Sequence, residues 1–407
     1  MQPKTSLRSP ANPLADRSID VRHPSAHTGL VAPSPFAQDL PRLGAELRQQ
    51  AAALPAEDRR RFLRRLAAAG LAPLMGAGFG RAARAADADE LTFAVWGNSD
   101  IDHLNQAFGK PFKRDTNIDV VFDGTGPSEG KIKSMVDSGN VDWDICDTDG
   151  YSCLRLGESG SLSAIDYSVV DRSQVMSPFA FDFGVAGYTY SFVLAYNANV
   201  YKDNPPQSWA DFWNLRKYPG KRGLWKWMIG GFEAAAMAHG AKPGQLYPLD
   251  IADCVNRIGQ LKPHLVTWEN GNEAKQMMLD KVVTMACIWH TRAAQLAVET
   301  KGGIGWSFDQ GLLCPGVWVV PKNNPGGNTV FKFLSSMQEP ARQIALSSLR
   351  GIGPANPRAT TGMPASLRSG DPTQPEALAQ QTIVDSAWWA ANYDKSMAKF
   401  TQMLTQS

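Results

Sequence analysis

At 407 residues the chain is long enough for two domains with full apolar cores. An apolar fraction of 43% with 20% charged residues excludes a disordered chain and an integral membrane one. The net charge of +2 divides unevenly: residues 1–86 carry 13 Lys and Arg against 6 Asp and Glu, leaving 28 against 33 for the rest, and so mildly acidic a body offers nucleic acid no electrostatic footing.

Residues 1–57 are rich in Pro, Ala and Arg without helical or strand periodicity, and are expected to be a disordered extension or an overlong start. The run Arg59-Arg60-Arg61-Phe62-Leu63-Arg64-Arg65 resembles the twin-arginine export motif, with Asp58 where that motif more often has Ser or Thr. Leu66 to Phe79 is apolar but, at about 14 residues, too short to span a bilayer. Ala83-Arg84-Ala85 then supplies the small-x-small pattern of a cleavage site. Residues 58–85 are thus expected to be a signal peptide, with a periplasmic mature protein beginning at Ala86. The glycines between 76 and 80 fall inside this signal, so they form no nucleotide loop.

From Leu91 short apolar runs alternate with amphipathic stretches, the pattern of an α/β fold. Leu91–Trp96 is predicted as a strand; Ser99 opens a helix with Asp102 closing a capping box, and Ile101, Leu104, Phe108 and Phe112 form its stripe. Ile118–Phe122 is the next strand, and Ile132, Met135 and Val136 mark a helix face. A short strand Asp144–Cys146 leads into a predicted loop from Asp147 to Tyr151. Tyr188–Tyr196 reads as a crossing strand, Ser208 heads a short aromatic helix, and an Ala-rich helix covers 234–239. Lys281–Trp289 and Gly316–Pro321 are predicted strands; Val330–Met337, Pro340–Leu349 and 375–405 are predicted helices.

Signatures of catalysis are missing. His103, His239, His264 and His290 lack partners at metal-ligand spacing, and no GxSxG, HExxH or P-loop occurs. Gly124 to Gly130 has a GxGxxxG spacing with Pro127 removing a donor, so it reads as a turn. No cofactor, no metal and no enzymatic role are expected. The five cysteines make no framework; Cys146 and Cys153, the closest pair, suit either a bridge or separate burial.

Several strings occur in the order found in bacterial extracellular solute-binding proteins of the spermidine/putrescine type: Phe93-Ala94-Val95-Trp96, Asp142-Trp143-Asp144-Ile145, Ala195-Tyr196-Asn197, Ser208-Trp209-Ala210-Asp211-Phe212-Trp213, Tyr218-Pro219-Gly220-Lys221-Arg222-Gly223 and Met285-Ala286-Cys287-Ile288-Trp289. The chain resembles that family from about residue 90 to 405. The resemblance implies a two-lobed type II periplasmic binding fold with crossover hinge strands, one lobe from 90–194 and 317–360, the other from 195–316 and 361–407. It further implies a monomer that captures a small solute between the lobes and hands it to the permease of an ABC importer.

The resemblance places Trp96, Ser99, Tyr151 and Trp289 on ligand positions, but the acid expected before a late strand falls on Gly316. Asp149 and Glu233 are the expected acidic contacts for a polyamine-like amine, with Asp147, Trp227 and Glu269 as alternatives. Asp149 equally suits a turn and Glu233 a helix N-terminus. Arg292, with Lys226, opens the alternative of an anionic or zwitterionic solute. An exported enzyme is the remaining alternative.

Overall fold

In the computed structural model the described residues are 88–97 and 101–406, with a few helical positions between 46 and 62. The expected cleavage site and Ser99 lie outside the described residues, as do almost all of the expected leader and the extension before it.

Strand β1 (Glu90–Ala94) pairs in parallel with β2 (Asp119–Asp123), Leu91 opposite Val120. Between them Ile101–Leu104 and Lys110–Thr116 flank a π-helical turn, Asn105–Gly109. The predicted stripe buries Leu104, Phe108 and Phe112. Asn117 ends this helical stretch with φ 61°, a left-handed cap that Asn tolerates. The glycine-rich run is a turn whose Ser128 caps α1 (Glu129–Ser138), with Ile132 buried.

Strand β3 (Ile145–Asp149) runs straight into α2 (Gly150–Glu158), which corrects the expected loop at 147–151. The polar string Asp147-Thr148-Asp149 is held extended because it pairs with an apolar strand, as described below. The crossing strand β4 (Gly184–Asn197) exceeds its predicted length at both ends. Ser208 caps a one-turn helix, Trp209–Trp213, as its sequence foretold. Then follow β5 (Arg222–Trp225), α3 (Gly231–Ala238), α4 (Ile251–Gln260), β6 (Leu265–Trp268), α5 (Gly271–Leu279), β7 (Met285–Trp289) and α6 (His290–Glu299). Residues 281–284 are not strand; Lys281 has φ 58° and turns the chain out of α5.

After β8 (Ile304–Trp306) and β9 (Leu312–Val319) come α7 (Thr329–Met337), α8 (Pro340–Arg350), β10 (Gly353–Pro354), β11 (Thr382–Ile383) and α9 (Ser386–Thr405). The tail is therefore not one helix from 375: a helical turn at Pro375–Leu378 gives way to β11 before α9. Asp385 caps α9 by accepting from the N–H groups of Ala387 and Trp388.

The strands form one mixed sheet in the order β2-β1-β3-β9-β4-β7-β5-β6, with β8 and β10 also on β4 and β11 on β9. One core gathers Leu91, Phe93, Phe108, Trp318 and Leu334; another gathers Phe192, Trp209, Phe232, Trp268, Ile288 and Trp389. Strand β4 serves both, giving Val185 and Ala186 to the first and Phe192 and Val193 to the second. A smaller core holds Ala94, Ile132, Cys146 and Cys153. All five cysteines are buried free thiols, so Cys146 and Cys153 are not bridged.

Candidate functional site

The register of β4 locates the site. Strand β3 reaches Asp149 opposite Gly316 of β9, and Gly316 faces Tyr188 of β4. Strand β7 arrives from the other side, Met285 against Tyr196 and Trp289 against Phe192. The two strands thus point their C-terminal ends at each other over residues 188–192 of β4. Strands β1 and β2 run parallel to β3, and β5 and β6 run parallel to β7, β5 pairing with its first residues, so their C-terminal ends converge too. Open α/β sheets bind ligands at such ends. Here they carry Trp96, Asp123 and Asp149 on one side, Trp225, Trp268 and Trp289 on the other.

On the acidic side, alternation along β3 puts Asp147 and Asp149 on one face. Each meets a tyrosine of β4: the Tyr188 hydroxyl donates to both oxygens of Asp147, at 3.3 and 3.1 Å, and the Tyr190 hydroxyl donates to Oδ1 of Asp149 at 2.8 Å. Tyr188 crosses β9 to do this by lying over Gly316, where a Cβ would overlap its ring. Burial lifts the Asp149 carboxyl to about 6, against the lowering effect of the Tyr190 hydroxyl, with Glu129 adding a smaller push upward. No cationic side chain pairs with Asp149 among the described residues. Tyr151 stacks on Tyr393 of α9, centroids 5.0 Å apart, and burial raises its phenol well above the usual range. Trp96 stands 51% exposed, packed over Gly126, its indole N–H donating to the Asp147 carbonyl at 2.9 Å.

The aromatic side is built from β5, β6 and β7. Trp289 meets Trp268 edge-on at 5.1 Å, Trp225 at 5.9 Å and Tyr190 at 6.2 Å. Trp225 and Trp268 spend their N–H groups on the carbonyls of Glu269 and Cys287. The Trp289 N–H is buried without an acceptor among the described residues, a state that costs about 1–3 kcal/mol. Trp289 and Arg292 both pack against Gly271, the first residue of α5, where the missing side chain makes room for them. One guanidinium nitrogen of Arg292 donates to Gln295 at 3.0 Å.

The remaining predicted residues sit differently. Glu233 is fully buried, its carboxylate accepting from the Tyr247 hydroxyl and the Trp389 indole at 2.6 Å and from the Gly230 N–H at 2.8 Å. It joins α3 to α9 and presents no surface to solvent; burial raises its carboxyl, opposed by these same bonds. Trp227 and Glu269 form an outer group around Lys226, whose ammonium pairs with Glu269 and lies 4.4 Å from the Trp227 ring. Tyr188, Tyr190, Trp225 and Trp268 join the site without having been expected there. For the two tyrosines the sequence does hold a signal, the two-residue spacing of Tyr188, Tyr190 and Phe192, which aligns three aromatics on one face of the crossing strand.

The family described as bacterial extracellular solute-binding protein matches residues 107–374. A gamma-aminobutyric acid-binding protein of Pseudomonas aeruginosa is 31% identical over 334 residues, 80% of this chain and 94% of the relative. A spermidine/putrescine-binding periplasmic protein of Haemophilus influenzae is 22% identical, covering 65% and 76%. A solved GABA receptor superposes with TM-score 0.72 at 28% identity, over 78% of this chain and 98% of the other.

Proposed function

This chain belongs to the bacterial extracellular solute-binding proteins, and we propose that its solute is a short amino acid carrying an amine at one end and a carboxylate at the other. It has the two-lobed α/β fold of the periplasmic binding proteins. Members of this group bind a small molecule and deliver it to an ABC transporter permease.

One observation carries the choice of solute. Tyr190 stands between two unmet groups: the half-buried Asp149 carboxylate, with no cationic partner among the described residues, and the Trp289 N–H, with no acceptor. An ammonium answers the first and a carboxylate the second, with the Arg292 guanidinium beside it on Gly271. A cation over the Tyr190, Tyr151 or Trp289 faces adds about 0.5–2 kcal/mol per contact. The likeness to two proteins named for gamma-aminobutyric acid supports the same class. The polyamine reading rests on a relative at 22% identity. Within this proposal the solute contacts are Trp96, Asp149, Tyr151, Tyr190, Trp289 and Arg292. In the same proposal 90–194 with 317–360 is taken as one lobe and 195–316 with 361–407 as the other, and export to the periplasm is assigned to a leader at 58–85.

Calorimetric titration of the purified protein with 4-aminobutanoate, butanoate and 1-aminobutane tests the reading. The zwitterion is expected to bind at least about tenfold tighter than either one-pole probe, since each charge-assisted hydrogen bond contributes about that much. Equal affinities, or no binding of the zwitterion, would refute the two-pole site.

A further inference from the structure

Helix α9 makes two contacts of different chemistry. In one, Trp389 and Phe400 are sunk in the core that also holds Phe192, Trp209 and Phe232. In the other, α9 lies against α2, whose buried Cys153 and Leu156 belong to the smaller core with Ala94, Ile132 and Cys146. The two helices therefore meet where two separately packed cores touch.

What joins them is polar and aromatic. Arg155 of α2 donates to both carboxylate oxygens of Asp394 on α9, at 3.1 and 3.3 Å, in the forked geometry that suits a guanidinium. Its Nε donates to one oxygen of Glu129 at 3.0 Å, and the Ser152 hydroxyl donates to the other at 2.8 Å, so the guanidinium is braced from its own side. Tyr393, next to Asp394, stacks on Tyr151 with ring planes 18° apart, and the Arg155 guanidinium stands 5.6 Å from its centroid. At the first turns of the helices Gly150 leaves room for the Ser386 side chain, which a Cβ there would strike.

These contacts part at different cost. Apolar burial ties α9 permanently to its core, whereas one ion pair with Asp394 77% exposed and one aromatic stack can break and re-form readily. The separable contact also adjoins the site: Gly150 follows Asp149, and Tyr151 supplies half of the stack.

We propose that Arg155, Tyr393 and Asp394 are positioning residues for solute retention: they clasp α2 to α9 and so hold Asp149 and Tyr151 closed on the solute without touching it. The inference rests on the reading of Asp149 and Tyr151 as solute contacts. A clasp that fastens after the solute has entered slows its escape and leaves its entry unchanged, so it sets affinity through the release rate.

The test measures uptake of radiolabelled 4-aminobutanoate by the purified full chain, and its release into excess unlabelled solute. In Asp394→Asn release is expected to quicken about two- to fivefold, the worth of an exposed ion pair, with uptake unchanged. In Tyr393→Ala it quickens about two- to tenfold, the range of an aromatic pair, and Tyr393→Phe, which keeps the ring, restores slow release. Circular dichroism establishes that each variant is folded; if Tyr393→Ala is not, the exposed Asp394→Asn decides. Unchanged release in the folded variants, or weaker binding that comes from slower uptake, overturns this inference alone. A wild type that does not bind 4-aminobutanoate overturns the solute reading and this inference with it.

Discussion

Replacing Asp149 by Asn should make the unliganded protein more stable while weakening its hold on solute. In the folded chain burial lifts the carboxyl from 3.8 to about 6. At about 1.36 kcal/mol per pH unit, ionising it at neutral pH therefore costs the fold about 3 kcal/mol. The sign follows from linkage: with the folded value above the unfolded one, stability is complete below 3.8 and lost as pH climbs to about 6. An amide has no charge to desolvate and its oxygen still accepts from the Tyr190 hydroxyl. Urea unfolding is thus expected to show a gain of up to about 3 kcal/mol near pH 7, fading to nothing near pH 4. Calorimetry on the same variant should show the amine-bearing solute bound at least about tenfold more weakly. A variant that is less stable near neutrality, or whose gain is independent of pH, would refute the reasoning.

His290 gives an opposite slope. It is fully buried, Nδ1 accepting from the Ser191 N–H at 3.0 Å and Nε2 donating to the Gly351 carbonyl at 2.9 Å, and burial depresses it from 6.5 to about 4. Its stability contribution is therefore present above 6.5 and lost as pH falls toward about 4, so Asp149→Asn should gain about 3 kcal/mol across that window while the wild type stays flatter; a flat profile in the variant would count against the assignment. Gly316→Ala should lower stability by about 1–3 kcal/mol through overpacking against Tyr188, seen as a reduced unfolding midpoint. Glu233→Gln should cost about 1–3 kcal/mol, because one carboxylate oxygen facing donors becomes an amide nitrogen, with solute affinity unchanged in calorimetry; a fall in affinity at unchanged stability would return Glu233 to the solute site. Arg59→Lys with Arg60→Lys should leave the precursor uncleaved, and mass spectrometry of the wild-type secreted form should place its first residue at Ala86.

Much of the fold was legible because apolar spacing dictates it locally. Leu104, Phe108 and Phe112 lie four residues apart and are buried on one helix face, and Ser208 announced its helix by a capping oxygen. The sequence also placed Trp289 as the last residue of a strand, which is where β7 ends. What it hid was non-local. Asp147-Thr148-Asp149 has loop composition, and only pairing with Gly316–Val319, some 170 positions away, makes it a strand; the Thr148 hydroxyl is satisfied by the Val317 carbonyl at 3.0 Å. Glu233 was visible as an acid near a helix start, but its Trp389 partner lies 156 positions away and its Tyr247 partner comes from the loop beyond its own helix. The role of Gly316 was likewise unreadable, since a missing side chain acquires meaning only from the ring that lies over it.

The placement of the indoles gives the protein a built-in optical readout. Of its twelve tryptophans, Trp96 and Trp227 are the ones exposed among the described residues, at 51% and 37%. The others sit half-buried or in the cores, so a soluble quencher such as iodide reports chiefly on these two. Trp96 is tethered by its N–H to the backbone of Asp147, two residues before the acid assigned to the solute. Shielding of its ring would remove emission from the quenchable fraction in proportion to occupancy, without a label. Trp227, against Lys226 at the outer edge, would remain as the reference in the same spectrum.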